Sequence, residues 1–168
     1  MSYIQSIKTQ DLTNSSADRK YELGVRYVDQ TSKDAIKPEY IYLKSHAALT
    51  QYQPYQVSVG NTVGAELVSK APATTGSGAT VAVPQIAVTS GYYFWAPVRG
   101  KATVKTTSTF AAGDYAEVLN AGVGLILDGG SSGSTAEESG TVGIAVTATS
   151  SGTATFVLSG NAVSIAAA

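Results

Sequence analysis

His46 is the one histidine among 168 residues, and general-base or metal chemistry would need other groups converging on its ring. It follows the Tyr40 to Lys44 segment with no carboxylate cluster beside it in sequence, so incidental placement is expected. Serines are abundant, but no strand-to-helix elbow is foreseen that would present one as a nucleophile. Asp128, Glu137 and Glu138 lack the alternating ligand ladder of a calcium loop, and read as solvated loop charge. The glycine-serine stretch after Asp128 has no lysine to meet a phosphate and no helix after it. Asn14-Ser15-Ser16 has the form of a glycosylation triplet, which means little without export. The absence of cysteine removes disulfides, thiolate metal sites and a cysteine nucleophile. No catalytic residue, metal site or cofactor is expected, and the chain does not read as an enzyme.

The densest aromatic run is Tyr92-Tyr93-Phe94-Trp95. Rings of this kind can stack bases or sugars, but single-strand platforms sit in basic grooves, and only Arg99, Lys101 and Lys105 are near in sequence. In a strand Tyr92 and Phe94 point one way and Tyr93 and Trp95 the other. The expectation is core packing by one pair, with its alternates turned toward a neighbouring copy.

These residues need strands to position them. Tyr21, Leu23, Val25 and Tyr27 share one parity while Glu22 and Arg26 share the other, which predicts a half-buried strand. Glu39 to Lys44 supplies a second, rich in aromatic and branched side chains, and the two form a predicted hairpin. Gln51 to Ser58 alternates, Glu66 to Val68 is a further short strand, and Ala71 to Ala79 is a loop. Tyr115 to Leu119 and Val123 to Leu127 add two more. Ile86-Ala87-Val88-Thr89 returns letter for letter as Ile144-Ala145-Val146-Thr147, each copy followed by a glycine turn, an apolar run and a second glycine. Turn placement suggests a repeat of paired hairpins, although chance recurrence of four common β residues stays open. No window of 11 to 18 residues holds a helical apolar period, so very little helix is predicted.

Residues 1 to 20 are polar and without sustained periodicity. They read as an extended N-terminal arm that would order only against a partner, and residues 21 to 168 as a single β domain. The arm's apolar side chains, Tyr3, Ile4, Ile7 and Leu12, are the candidate contacts. Charged residues are 14% of the chain and net charge is -1, against about 25% charged in ordinary globular proteins. Neither nucleic acid nor an anionic membrane is an expected partner. No export signal or 18-residue apolar span is visible. The fold class expected is all-β, a small barrel or sandwich.

Leu23-Gly24-Val25-Arg26, Tyr40-Ile41-Tyr42, the stretch from Ile86 to Ala102 and the turn Ala112-Gly113-Asp114 together resemble the capsid decoration, or cement, proteins of tailed bacteriophages over about residues 21 to 160. The resemblance implies a small β-barrel or tulip-like fold, a homotrimer, and a place on the outer surface of the virion. There such a protein binds the major capsid protein and bridges neighbouring capsid subunits. A tail or fibre-type structural protein, and a carbohydrate-binding module using Trp95, are the alternatives.

Overall fold

Fourteen consecutive residues, Tyr93–Thr106, form strand β7, and the rest of the molecule is arranged on its two halves. The computed structural model describes residues 7, 9–59, 67–70, 79–118, 125–127, 141–150, 152–160 and 162–163. A 3-10 turn, Thr9–Thr13, is the one helical element among them. The strands before β7 are β1 Ser15–Ser16, β2 Arg26–Val28, β3 Glu39–Ser45, β4 Tyr55–Val59, β5 Leu67–Lys70 and β6 Ala79–Ala82. After it come β8 Tyr115–Val118, β9 Leu125–Leu127, β10 Gly143–Ala145, β11 Gly152–Ser159 and β12 Ala162–Val163. The all-β expectation holds. The loop foreseen at Ala71 to Ala79, apart from its last residue, and the glycine-serine loop lie outside the described residues.

The first half of β7 pairs antiparallel with β3. β3 then pairs parallel with β5, β5 with β4, and β4 with β6. The Val83 amide closes this circuit by donating to the Pro97 carbonyl of β7 at 3.1 Å. The second half repeats the order. β7 pairs antiparallel with β11 and parallel with β9, β9 with β8, β8 with β10, and β10 with β11. Two small five-stranded barrels therefore share one strand.

Backbone contacts match across the two barrels at an offset of 61 residues, which becomes 60 where Tyr93 to Pro97 of β7 match Thr153 to Val157 of β11. The isolated bridge Leu49↔Val88 has its counterpart in Phe110↔Thr149, and the pair Tyr55↔Ala82 in Ala116↔Gly143. Tyr52, with φ 65°, corresponds to Gly113, with φ 96°. The repeat is structural, and it is not the one spelled by the letters. Ile86 to Thr89 and Ile144 to Thr147 stand 58 apart, so Val88 matches Thr149 and not Val146.

Each barrel has its own interior. Ile41, Leu43, Leu49, Tyr55, Val88, Phe94 and Val98 fill the first. Ala102, Val104, Phe110, Ala116, Ala154, Phe156 and Leu158 fill the second, where Phe110 meets Phe156 edge to face at 5.1 Å. Val81 and Val83, from β6 and the residue just beyond it, turn away from the first interior and join the second. The barrels are thus packed on each other as well as threaded on β7. Polar pins reinforce the seam: Gln85 Nε2 donates to the Val83 and Thr103 carbonyls, and the Lys105 amide donates to the Tyr52 carbonyl at 2.8 Å.

The predicted hairpin is present as β2 against β3, in shorter form. Gly24 is left-handed at φ 80° and breaks the alternation after Leu23, so Tyr21, Leu23 and Tyr27 reach one cluster while Val25 is exposed. A second left-handed glycine, Gly100 at φ 80°, sits where β7 passes from one barrel to the other. A Cβ there would stand 2.9 Å from Pro38 Cα and 3.0 Å from the Lys37 carbonyl oxygen, both backbone. One residue pair earlier the β3–β7 register shifts between Glu39 and Tyr40, a bulge that also accommodates Pro97, which has no amide to give a ladder. Gly100→Ala is expected to lower unfolding free energy by about 2 to 4 kcal/mol, through the left-handed backbone and the overlap with Pro38. Urea titration of both proteins checks this, and a loss below about 0.5 kcal/mol would show that the crossover tolerates a side chain.

Candidate interaction surfaces

Both parities of the aromatic run are core. Phe94 lies in the first barrel's interior, with Tyr92 partly buried against it. Trp95 and Tyr93 face outward from the barrel, but Trp95 is buried there in a second aromatic layer. Its ring lies 5.1 Å from Tyr42, 5.3 Å from Tyr21 and 6.3 Å from Tyr27. Tyr42 also stacks on Tyr93 at 6.2 Å, and Lys44 Nζ sits 5.6 Å above the Tyr93 ring. Trp95 is therefore enclosed by the chain itself, while Tyr93 stays partly buried. Tyr21, Tyr27, Tyr40 and Tyr42 are the partners that the sequence reading passed over. The signal was the Tyr-x-Tyr spacing, which puts Tyr40 and Tyr42 on one face of β3.

The lid on this layer is the N-terminal segment. Leu12, in the 3-10 turn, is buried with Tyr42 and Trp95, and Ile7 packs on the same cluster. β1 pairs with the start of β7, Ser15 opposite Phe94 and Ser16 opposite Tyr93. Residues 9 to 20 thus lie on the chain's own sheet instead of extending toward a partner, because Trp95 offers apolar area that Leu12 can cover without one. Tyr3 and Ile4 lie outside the described residues. Polar contacts fasten the lid: the Tyr21 hydroxyl donates to Asp11 Oδ2 at 2.9 Å, Lys20 Nζ is 3.8 Å from Asp11 Oδ1, and the Lys20 amide donates to the Tyr42 hydroxyl at 3.1 Å. Burial, then the hydrogen bond to Asp11 and its charge, push the Tyr21 hydroxyl up to about 12. Burial also raises Tyr40 and Tyr42.

His46 is exposed in the bend after β3. Asp128, Glu137 and Glu138 lie outside the described residues. Among the described residues no three His, Cys, Asp or Glu side chains gather as a metal site.

A different surface stands open on the second barrel. Cross-strand neighbours Tyr115, Ile144 and Val157 form a row over β8, β10 and β11. With Ile36, Leu158 and Arg99 they line a cleft of about 210 Å³. Ile36 is 45% exposed and Ile144 39%, and Val146, two residues along from Ile144, is 42% exposed.

Two outcomes test the lid. Leu12→Ala should cost about 2 to 3 kcal/mol of unfolding free energy, within the range for buried leucine, and red-shift the Trp95 fluorescence. An unchanged stability and spectrum would mean the segment is not docked. Stability should also fall as pH rises from 10 to about 12. Tyr21 holds its proton in the folded chain after an unfolded tyrosine has lost it, so the contribution is complete below pH 10 and disappears through the folded value. Denaturant titrations should show a shallower decline in Tyr21→Phe.

No protein-family model and no curated protein sequence matches the chain. Among solved structures, the N base of the head fiber gp8.5 of bacteriophage phi29 is similar, with a TM-score of 0.51 at 16% identity, over 74% of this chain and 96% of that one. The likeness is one of fold.

Proposed function

We propose that the chain is a structural protein of a bacteriophage virion. It sits on the outer surface of the head and stabilises the capsid by bridging neighbouring subunits of the major capsid protein. The observation that carries this is the fold shared with the base of a head fibre across 74% of the chain, and the sequence resemblance to decoration proteins points the same way. Enzymatic activity, nucleic acid and membranes have no part in the reading. A homotrimer belongs to it through the resemblance. Of the aromatic run, Phe94 and Trp95 are interior, so only the partly buried Tyr92 and Tyr93 could contribute to a trimer seam, and the copies would meet mainly through other surfaces.

A second reading comes from the same structural neighbour, described as a fibre base: the two barrels would anchor a projecting partner to the head instead of reinforcing the shell.

Phage heads assembled without this chain, mixed with the purified protein, separate these readings. Saturable cosedimentation together with a higher temperature of head disruption is the expected result. Binding without added heat resistance would favour the anchor. Absence of cosedimentation at micromolar protein would overturn both. Sedimentation equilibrium should give three times the 17.2 kDa chain mass, and a monomer at the same concentration would remove the trimer.

A further inference from the structure

The two barrels treat one equivalent surface in opposite ways. In the first, the row one residue past the Tyr55↔Ala82 pair runs through Pro54, Val83 and Pro97. All three are buried, Pro54 and Val83 almost completely, and Val83 packs into the second barrel's interior cluster. In the second barrel the matching row is Tyr115, Ile144 and Val157, where Ile144 is left 39% exposed and its two neighbours are half-buried. This is a row that, in its first copy, exists only under apolar cover.

Two features of the open copy specify what would cover it. One is size. The cleft of about 210 Å³ holds on the order of seven water-sized volumes of ~30 Å³, enough for one large aliphatic side chain with a small polar group beside it. The other is charge. Arg99 is the single charged side chain lining the cleft, with no carboxylate among its neighbours there. By contrast, Arg19, Lys20, Arg26 and Lys101 all have acidic partners. The Arg99 stem passes close over Gly160, where a Cβ would stand 2.9 Å from Arg99 Cβ. A guanidinium at the rim of an apolar cleft is complementary to a carboxylate, and charge-assisted pairs of this type are the stronger hydrogen bonds.

We propose that this cleft is a docking site for an extended segment of a partner protein. The segment places an aliphatic side chain between Ile36 and Ile144 and a carboxylate, two residues away on the same face, on Arg99. The geometry of the cleft carries this without the virion reading, and the two fail separately.

The probe is the capped peptide acetyl-Leu-Ala-Asp-amide, titrated into the isotope-labelled full chain and followed by amide chemical shifts, with acetyl-Leu-Ala-Asn-amide as its uncharged isostere. Saturable shifts confined to Arg99, Tyr115, Ile144, Val157 and their neighbours are expected, at a dissociation constant of about 1 to 10 mM for so small a ligand. The asparagine peptide should bind at least about fivefold more weakly. Arg99→Gln, which is exposed and should keep the wild-type melting temperature, should abolish that preference while leaving weak binding of both peptides. No saturable shifts, shifts elsewhere on the chain, or equal affinity for the two peptides would overturn the proposal. So would concentration-dependent self-association that Ile144→Lys removes, because the cleft would then be a seam between copies.

Discussion

Strand β7 cannot be taken from one barrel without opening the other. Its first half, Tyr93 to Val98, closes a circuit with β3 and the Val83 amide. Its second half pairs over eight residues with β11, Gly152 to Ser159 against Arg99 to Thr106. The composition follows the geometry. The first half is apolar on both faces, since the barrel interior takes one parity and the aromatic layer the other. The second half alternates, with Lys101, Thr103 and Lys105 outward and Ala102, Val104 and Thr106 inward. The left-handed turn at Gly100, pressed against Pro38, is the point at which one pattern gives way to the other.

Duplication around a shared strand produces unequal surfaces. The outward residues Tyr42 and Trp95 of the first barrel correspond to Thr103 and Thr155 of the second, one pair needing a lid and the other facing a polar setting with Gln85 and Lys101. The lid is the N-terminal segment, so a polar stretch of sequence becomes part of the fold through Leu12 and the Tyr21–Asp11 contact. Conversely, the row buried in the first barrel at Val83 is open in the second at Ile144. Structural asymmetry between equivalent units is where an exposed apolar feature acquires meaning, because the covered copy shows what the open copy is suited to.

Much of this was legible in the sequence. Alternation located β4, aromatic and branched content located β3, and short apolar runs between turn signals located β5, β8 and β9, each to within a few residues. The repeat was visible only as a grammar of turns. Leu49 and Phe110, or Tyr55 and Ala116, are equivalent in the fold and share no letter, and the one shared word, Ile-Ala-Val-Thr, falls three residues out of register. Two features were hidden for a physical reason. Parity along a strand says which residues share a face and not whether that face is wet, so Trp95 read as available for an interface. Isolated leucines in polar text, such as Leu12, carry no period, and their burial depends on an aromatic surface more than eighty residues away.

That separation matters while the chain is being made. Leu12 leaves the ribosome 83 residues ahead of Trp95, an interval of about 4 to 17 s at typical rates of synthesis. Until then the tyrosines of β2 and β3 have no indole to pack on, and the first barrel has no closing strand. The same stretch that completes the first barrel starts the second, so no point in translation finds one barrel finished and the other not yet begun. The nascent protein therefore exposes its tyrosine-rich face from the emergence of Tyr42 until that of Trp95, and non-local pairing of this kind is slow and open to misassociation. Successful production then depends on what shields that face on the ribosome.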